Sequence, residues 1–487
     1  MKFAGKISGG RTAFGLALLV LSLSALPARA QLFCPPTGNG NGGANGPFVL
    51  TSGVCTNGSD GGAFSTAALS SQAIGDIQQS ASQQAAAAAM DAISARRKEE
   101  TERCPEGFER VAGVCRRVET SPSSSSSAPA SRRTPRPDNR PTPVPVKAPV
   151  VVVDPGWRIG AWAQGFGDYE QRTGSGNSSV CGTGQPCDTN NPAQNFPIVV
   201  DVKQTTTTVG GLGGVDWTKR NLFGQGDGLI LGLLTAYTSS HINMSSVAQP
   251  TPLPPANSAG PGTGFGASKV QIAGPSVGGY FTYFNGGFSV DAALKGEFLS
   301  INESFTEVLS YSGNNGGNGP GTLNFLNSGV ASTRVTNFVA ASNIQYRIPI
   351  FGKLWFEPTA GFLYVNSSYD SSAALLGLES GYDWRVQGGG RFGISSFWNS
   401  VFVTTTVTGL AYSDVVIVGG PITGGAGGGA FAGTTVLPSD LGKVRGQGIF
   451  NTNFDFGNGF STFIQAEVRG GSGLFGAGGR GGVRMQF

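Results

Sequence analysis

The chain has 487 residues, among them 78 Gly, 33 Lys or Arg, 29 Asp or Glu and a single His, His241. Charge is 13%, about half the usual share, and Gly is roughly twice as common as in an average domain. These figures exclude a multi-His metal centre, a highly charged disordered chain and, without a Gly-X-Y period, collagen. A formal charge of +4 is too small to point to nucleic acid.

In chain order, Lys2, Lys6 and Arg11 precede an apolar stretch over residues 13–26, and Ala28-Arg29-Ala30 follows it. Basic, apolar, then small-x-small is the pattern of a secretory leader, so residues 1–30 are expected to be removed near Ala30. The apolar stretch is shorter than the roughly 20 residues a membrane-crossing helix needs. Six cysteines fall in close pairs, Cys34 with Cys55, Cys104 with Cys115 and Cys181 with Cys187. An even count behind a leader predicts local disulfides, with nearest-neighbour pairing one of several arrangements.

Residues 31–120 are expected to be a small Cys-paired, passenger-like region. Within it, residues 66–103 are rich in Ala and Gln and predict a helix. Its large apolar residues are Leu69, Ile74, Ile77, Met90 and Ile93. A stripe this thin suits small-to-small packing in a narrow space, a weak coiled coil or a solvated helix. Residues 121–156 form a Ser-, Pro- and Arg-rich linker. In polyproline II form, at about 3.1 Å per residue, its residues 121–149 reach on the order of 90 Å.

From Trp157 onward the pattern is two-residue alternation. Near the C-terminus, Lys443, Arg445, Gln447, Asn451, Asn453 and Asp455 share one parity, and Val444, Gly446, Gly448, Phe450, Phe454 and Phe456 the other. Successive strand side chains point to opposite faces, so such a segment has one polar and one apolar face. Twelve segments of this kind run from 157–170 to 475–487. Short and long connections alternate between them, the signature of an outer-membrane barrel with short turns at one rim and long loops at the other. Hydrocarbon leaves backbone polar groups without partners, so a sheet in lipid must close on itself. Trp157, Trp217, Trp355 and Trp398 fall near the short-turn ends, where an interfacial girdle would sit. The expected fold is an all-β, 12-stranded antiparallel transmembrane β-barrel over residues 157–487.

Two stretches carry a family resemblance. WRIGAWAQGFGDYEQRTG at residues 157–174 resembles the opening strand of autotransporter β-domains. FIQAEVRGGSGLFGAGGRGGVRMQF at residues 463–487 resembles their last two strands, terminal aromatic included. The resemblance implies a barrel that translocates or anchors an N-terminal passenger. It also implies that Phe487, with Met485 and Val483, is the signal read by the barrel-assembly machinery. In that family a helix usually threads the lumen immediately before the first strand. Here the Ala/Gln helix ends some fifty residues earlier, and the Pro-rich linker intervenes.

The polar faces of the later segments predict a charged lumen. Its bases are Lys295, Arg347, Arg385, Arg391, Lys443, Arg445, Arg469, Arg480 and Arg484. Its acids are Asp291, Glu297, Glu357 and Glu467, with Asp383 and Asp455 nearer the ends. Two uses follow: salt bridges that hold the barrel round, or an anion-preferring pore, since rings of like charge bias permeation. A net positive interior requires acidic loops, for which Glu303, Glu307, Asp370 and Glu379 are candidates.

No enzyme is expected, because a Ser-His-acid triad would have to use His241 and no nucleophile or acid can be assigned to it. No cofactor is expected either. Two functions remain. One is an outer-membrane translocator and anchor that displays its own N-terminal region. The other is a porin-like, anion-biased channel with a periplasmic tether. The expected partners are the lipid bilayer, the assembly machinery and periplasmic chaperones.

Overall fold

The structure, a computed structural model, describes residues 49–51, 54–56, 82, 86, 87, 89, 90, 93, 108–111, 114–117, 157–181, 195–224, 226–250, 264–314, 320–376, 378–398, 401–421, 442–457 and 459–487. The leader lies outside the described residues. Cys55, Cys115 and Cys181 lie on described strands, but Cys34, Cys104 and Cys187 do not, so every suggested disulfide falls outside them.

Twelve strands form one closed antiparallel sheet. They are β1 (Arg158–Cys181), β2 (Asn195–Arg220), β3 (Asp227–Pro250), β4 (Gly264–Asn285), β5 (Phe288–Asn314), β6 (Pro320–Tyr346), β7 (Leu354–Tyr369), β8 (Leu378–Trp398), β9 (Val401–Pro421), β10 (Arg445–Asp455), β11 (Phe460–Gly471) and β12 (Leu474–Gln486). Each pairs with its neighbours in sequence, and β12 closes on β1 from Leu474 opposite Arg172 to Gln486 opposite Gly160. Closure pairs every strand on both sides through the lower wall, as a lipid environment requires; above it the loop-side ends of β1 and β6 pair only with β2 and β5 among the described strands. A four-residue strand, Ile348–Phe351, continues β6 and pairs with the start of β7. Two short hairpins precede the barrel, Val49–Thr51 with Val54–Thr56 and Phe108–Val111 with Val114–Arg117.

The barrel expected from the alternation is thus the observed fold, but its first strands are longer than the alternation suggested. β5 and β6 have 27 residues each, whereas β10, β11 and β12 have 11, 12 and 13. The added length lies on the loop side, where residues 195–203, 303–314 and 320–330 mix apolar and polar side chains without regular alternation. Ladder hydrogen bonds use the backbone and continue where the side-chain pattern stops. At about 3.3 Å per residue, the wall is much taller over β1–β6 than over β10–β12.

The outer face is apolar: Val215, Leu233, Leu294, Phe392, Ile464 and Val483 are among its exposed residues. Aromatics mark both rims of this belt. Trp157, Trp398 and Phe487 are exposed at the short-turn end. Toward the loops, Trp384 packs on Phe362 and Tyr364 with ring centroids 5.7 and 5.0 Å apart. Trp355 corrects the expected girdle. It is buried and shares the parity of buried Glu357, facing the interior with Arg347 over its ring at 4.0 Å.

The barrel lumen as candidate functional site

The interior is lined differently on its two sides. Along β1–β4, four aromatic side chains lie flat over glycines on the neighbouring strand: Trp162 opposite Gly214, Phe166 opposite Gly210, Tyr280 opposite Gly232 and Phe284 opposite Gly228. A Cβ at any of these glycines would collide with the covering ring. The arrangement is aromatic rescue of glycine, here turned inward. Trp162 donates from Nε1 to the Tyr280 hydroxyl at 2.9 Å, and Tyr280 donates to Asp216 at 3.1 Å.

Against this wall lies one face of a helix. Ser82, Ala86, Ala89, Met90 and Ile93 are helical and buried. Their spacing of four, three, one and three residues places them on one side of a 3.6-residue turn. Ala89, Met90 and Ile93 share a core cluster with Trp162, Phe166, Leu212, Ile230, Leu234, Ala236, Tyr280, Phe284, Ala293 and Ala341. Ala86 joins Val339 and Val365, and Leu363 packs on both clusters. Burying Met90 and Ile93 contributes on the order of 1.5–3 kcal/mol each, and alanines let the backbone approach the wall closely. Of the thin apolar stripe read in the sequence, Met90 and Ile93 are packed against this wall, and Leu69, Ile74 and Ile77 lie outside the described residues.

A polar latch sits at the upper end of this face. Ser82 donates to Glu297 at 2.5 Å, Asn337 donates to the same carboxylate at 2.8 Å, and Lys295 pairs with it at 2.6 Å. The β5–β6 register sets heights in the lumen. Glu297 lies opposite Asn337, Lys295 opposite Val339 and Ala293 opposite Ala341, each step nearer the short turn. The helical face thus descends from Ser82 toward Ile93, from the loop side toward the turn side.

From β7 through β12 to β1 and β2 the lumen wall carries ion pairs. Arg469 reaches three carboxylates: Glu467 at 2.6 Å, Asp168 at 2.7 Å and Glu170 at 3.3 Å. Arg480 pairs with Glu467 at 2.7 Å, Arg484 with Asp216 at 2.9 Å and Arg172 with Glu170 at 2.7 Å. Arg385 holds Asp414 through two hydrogen bonds of 2.6 and 3.0 Å and covers the Tyr412 ring. Glu357 receives Arg391 at 2.7 Å and Arg347 at 3.6 Å. Asp291 accepts from Thr282 at 2.8 Å and from Gln345. Arg445 is buried at the inward parity, and Lys443 shares that parity on the approach to β10.

Every lumen charge named from the sequence thus has inward parity, but the expected net positive interior does not follow. The sequence reading passed over inward Asp168, Glu170 and Asp216 on the first two strands and Asp414 on β9. Their parity with Trp162 and Gln164, or with Tyr412, was the available signal. Glu303 also corrects an expectation: it is buried on β5 and accepts from Ser268 at 2.7 Å, rather than lying in a loop. Its carboxylate adds to the interior acids. His241 lies on the outward, exposed face of β3, opposite Gln271 of β4. Val483, Met485 and Phe487 are exposed on the outward face at the end of the chain.

A closed sheet with an apolar belt outside, paired charges inside and a helix in the lumen defines a transmembrane β-barrel. No family model matches the chain, and no curated protein matches it. In fold it is similar to the β domain of the Bordetella autotransporter BrkA, at 16% identity, covering 67% of this chain and 98% of that one with a TM-score of 0.38. It is also similar to the transport unit of the autotransporter AIDA-I from Escherichia coli, at 11% identity, 67% and 90% coverage and a TM-score of 0.41. A Pseudomonas aeruginosa FadL homologue is similar at 9% identity, 68% and 90% coverage and a TM-score of 0.31.

Proposed function

We propose that the protein is an outer-membrane translocator and anchor that carries its own N-terminal segment through the barrel and holds it at the cell surface. The observation that supports this reading is the direction of the helical face. Ser82 is nearest the loop side and Ile93 nearest the turn side, where β1 begins at Arg158. A chain threaded this way sends the residues before Ser82 outward and returns those after Ile93 to the periplasmic rim. On this reading the displayed portion is residues 31–81, and the Cys104–Cys115 segment and linker stay in the periplasm.

The leader over residues 1–30 routes the chain to the periplasm, chaperones keep it unfolded, and the assembly machinery recognises β12 with Phe487. The anion-biased channel is the weaker reading, because the inward arginines face carboxylates rather than standing as a ring of unopposed positive charge. The test is an epitope inserted beside Asn57 and another beside Gly113, each in the full chain. The first should be detected on intact cells, and the second only after the outer membrane is permeabilised. An Asn57 epitope hidden on intact cells sinks the proposal.

A further inference from the structure

The apolar lining of the lumen does not stop at Ser82. On β6 it resumes at Val335, four residues above the Val339 that packs with Ala86. From there it climbs obliquely through Ile301 on β5, Ile272 and Val270 on β4, and Ile242 and Met244 on β3. Ile272 stands opposite Ile301 and Ile242 opposite Val270, so the track is continuous from strand to strand. None of these six residues is more than 7% exposed. Its borders are polar and paired, Thr208 with Ser240 at 2.8 Å and Ser268 with Glu303 at 2.7 Å. The outer face of the same wall has left the lipid. Phe298 is exposed on β5, but the next outward residues, Ser300, Asn302 and Ser304, are polar and exposed. An apolar track on a wall that faces water outside gains its burial from a cover within. Ser82 is the first described residue of the helix and sits below the track. The short helical turn Ser371–Leu376 meets the wall beside it, where Ser372 bonds Thr333 at 2.9 Å.

We infer that this track is a collar for the chain's own residues 69–81, which lie outside the described residues, with Ile74 and Ile77 seated on Ile272, Val270 and Ile242. Continuity with the helix face below is the first reason: the track begins where the contacts of Ala86 and Ser82 end. Reach is the second. Ile301 lies four residues beyond Glu297 on β5, about 13 Å along the strand and about 10 Å of rise at the usual barrel tilt. Continuing the helix upward from Ser82 at 1.5 Å and about 100° per residue carries Ile77 and Ile74 about 8 and 12 Å higher and round toward β4 and β3. Composition is the third. Residues 69–81 hold three large apolar side chains, Leu69, Ile74 and Ile77, among small and uncharged ones, and their single charge, Asp76, falls on another side of such a helix. The inference rests on the threading direction given above and shortens the displayed portion to residues 31–68. The collar grips the emerging chain above the membrane, so the displayed part starts from a fixed point.

The experiment uses the full mature chain in outer membranes, with heat-modifiable gel migration verifying each barrel. A photoreactive diazirine residue in place of Val270 should crosslink to residues 69–81, mapped by mass spectrometry. On intact cells Ile74→Cys should react with an impermeant thiol reagent several-fold more slowly than Asn57→Cys, each measured above the parent background. Ile272→Asp should raise the rate at Ile74→Cys several-fold and the milder Ile272→Ala less, while Asn302→Asp, on the outer face of the same wall, should leave it unchanged. Crosslinks from Val270 that map to residues 182–194, 251–263 or 422–441 instead would mean that a loop covers the track and overturn the inference. Absence of any crosslink to residues 69–81, or equal labelling of Ile74→Cys and Asn57→Cys, overturns it as well. The crosslink does not depend on export. A hidden Asn57 with the crosslink present would remove the display reading alone, and an exposed Asn57 without the crosslink would remove the collar alone.

Discussion

Arg469 on β11 donates to Asp168 on β1 at 2.7 Å, reaching over the glycines of β12 to join residues 301 apart in sequence. Gly476 and Gly478 make this reach possible. A Cβ at Gly476 would meet the Arg469 guanidinium at about its own contact limit, and one at Gly478 would meet the Asp168 carboxylate. The closing seam of the barrel is therefore tied twice, by the β12–β1 ladder and by a side-chain bridge spanning it.

Removing the bridge should be costly. Arg469→Ala leaves Asp168, Glu170 and part of Glu467 as buried carboxylates without their shared cation. Breaking a buried ion pair from one side costs about 3–5 kcal/mol. The temperature at which the folded gel form converts to the unfolded form should fall clearly. Arg469→Lys keeps the charge but loses the planar fork, so it should fall between the variant and the parent. Equal stability of all three would show that the seam relies on the ladder alone.

The aromatic–glycine pairs make a second prediction. In Gly232→Val the new side chain takes the place of the Tyr280 ring, which must leave both Trp162 and Asp216. Overpacking of this kind costs typically 1–3 kcal/mol. The Trp162 indole should become more accessible, read as increased quenching of tryptophan fluorescence by a neutral quencher. Gly226→Val, in a turn, serves as the contrast: its Cβ meets nothing within 4 Å but its φ of +90° disfavours any side chain. That variant should lose stability without changing the Trp162 signal.

How much of this was legible in the sequence differs from strand to strand. On β10–β12, charged and apolar residues alternate cleanly, and parity alone places Arg445, Glu467 and Arg480 inside. On β3 both faces are apolar, with Ile230 and Leu234 inward and Leu231 and Leu233 outward, so alternation cannot separate lumen from lipid. The reason is the helix: a lumen wall that receives an apolar stripe needs apolar side chains of its own. Trp355 misled for the opposite reason, since its position near a rim fits a girdle while its parity with Glu357 places it inside. The helix itself carried too little apolar surface to name its site, because Ala86 and Ala89 would suit water as well as a close-packed wall. Its direction becomes readable only through Ser82 and its partner Glu297.

That pair gives the third prediction. Glu297→Ala removes the acceptor of Ser82 and Asn337 and leaves Lys295 buried without its partner. The helix should be held less firmly, and conductance in planar bilayers should rise above that of the parent. Ser82→Ala removes the hydrogen bond to the Glu297 carboxylate, worth about 1.5–3 kcal/mol, and the one accepted from Asn337, but leaves Lys295 paired, and should raise conductance less. Ile93→Asp, which buries a charge in the apolar cluster, should raise it most. Unchanged conductance in all three would mean that the latch and cluster do not keep the helix in the lumen.

The last prediction separates assembly from stability at the C-terminus. Phe487 is 72% exposed on the outer face, and within the barrel it contributes one backbone hydrogen bond, to Ile159 at 2.8 Å. A terminal residue with one such bond contributes about 0.5–1.5 kcal/mol to the folded barrel. If its side chain served only as lipid-facing surface, deleting it would matter little anywhere. If it is also read by the assembly machinery, the deletion should lower the amount of folded barrel in the outer membrane several-fold. The same purified variant, refolded in detergent, should unfold within a few degrees of the parent. Phe487→Tyr, which keeps the aromatic, should restore most of the cellular level, while Phe487→Ser should not. Normal outer-membrane levels of the deletion would remove Phe487 from the assembly signal and leave it a girdle residue.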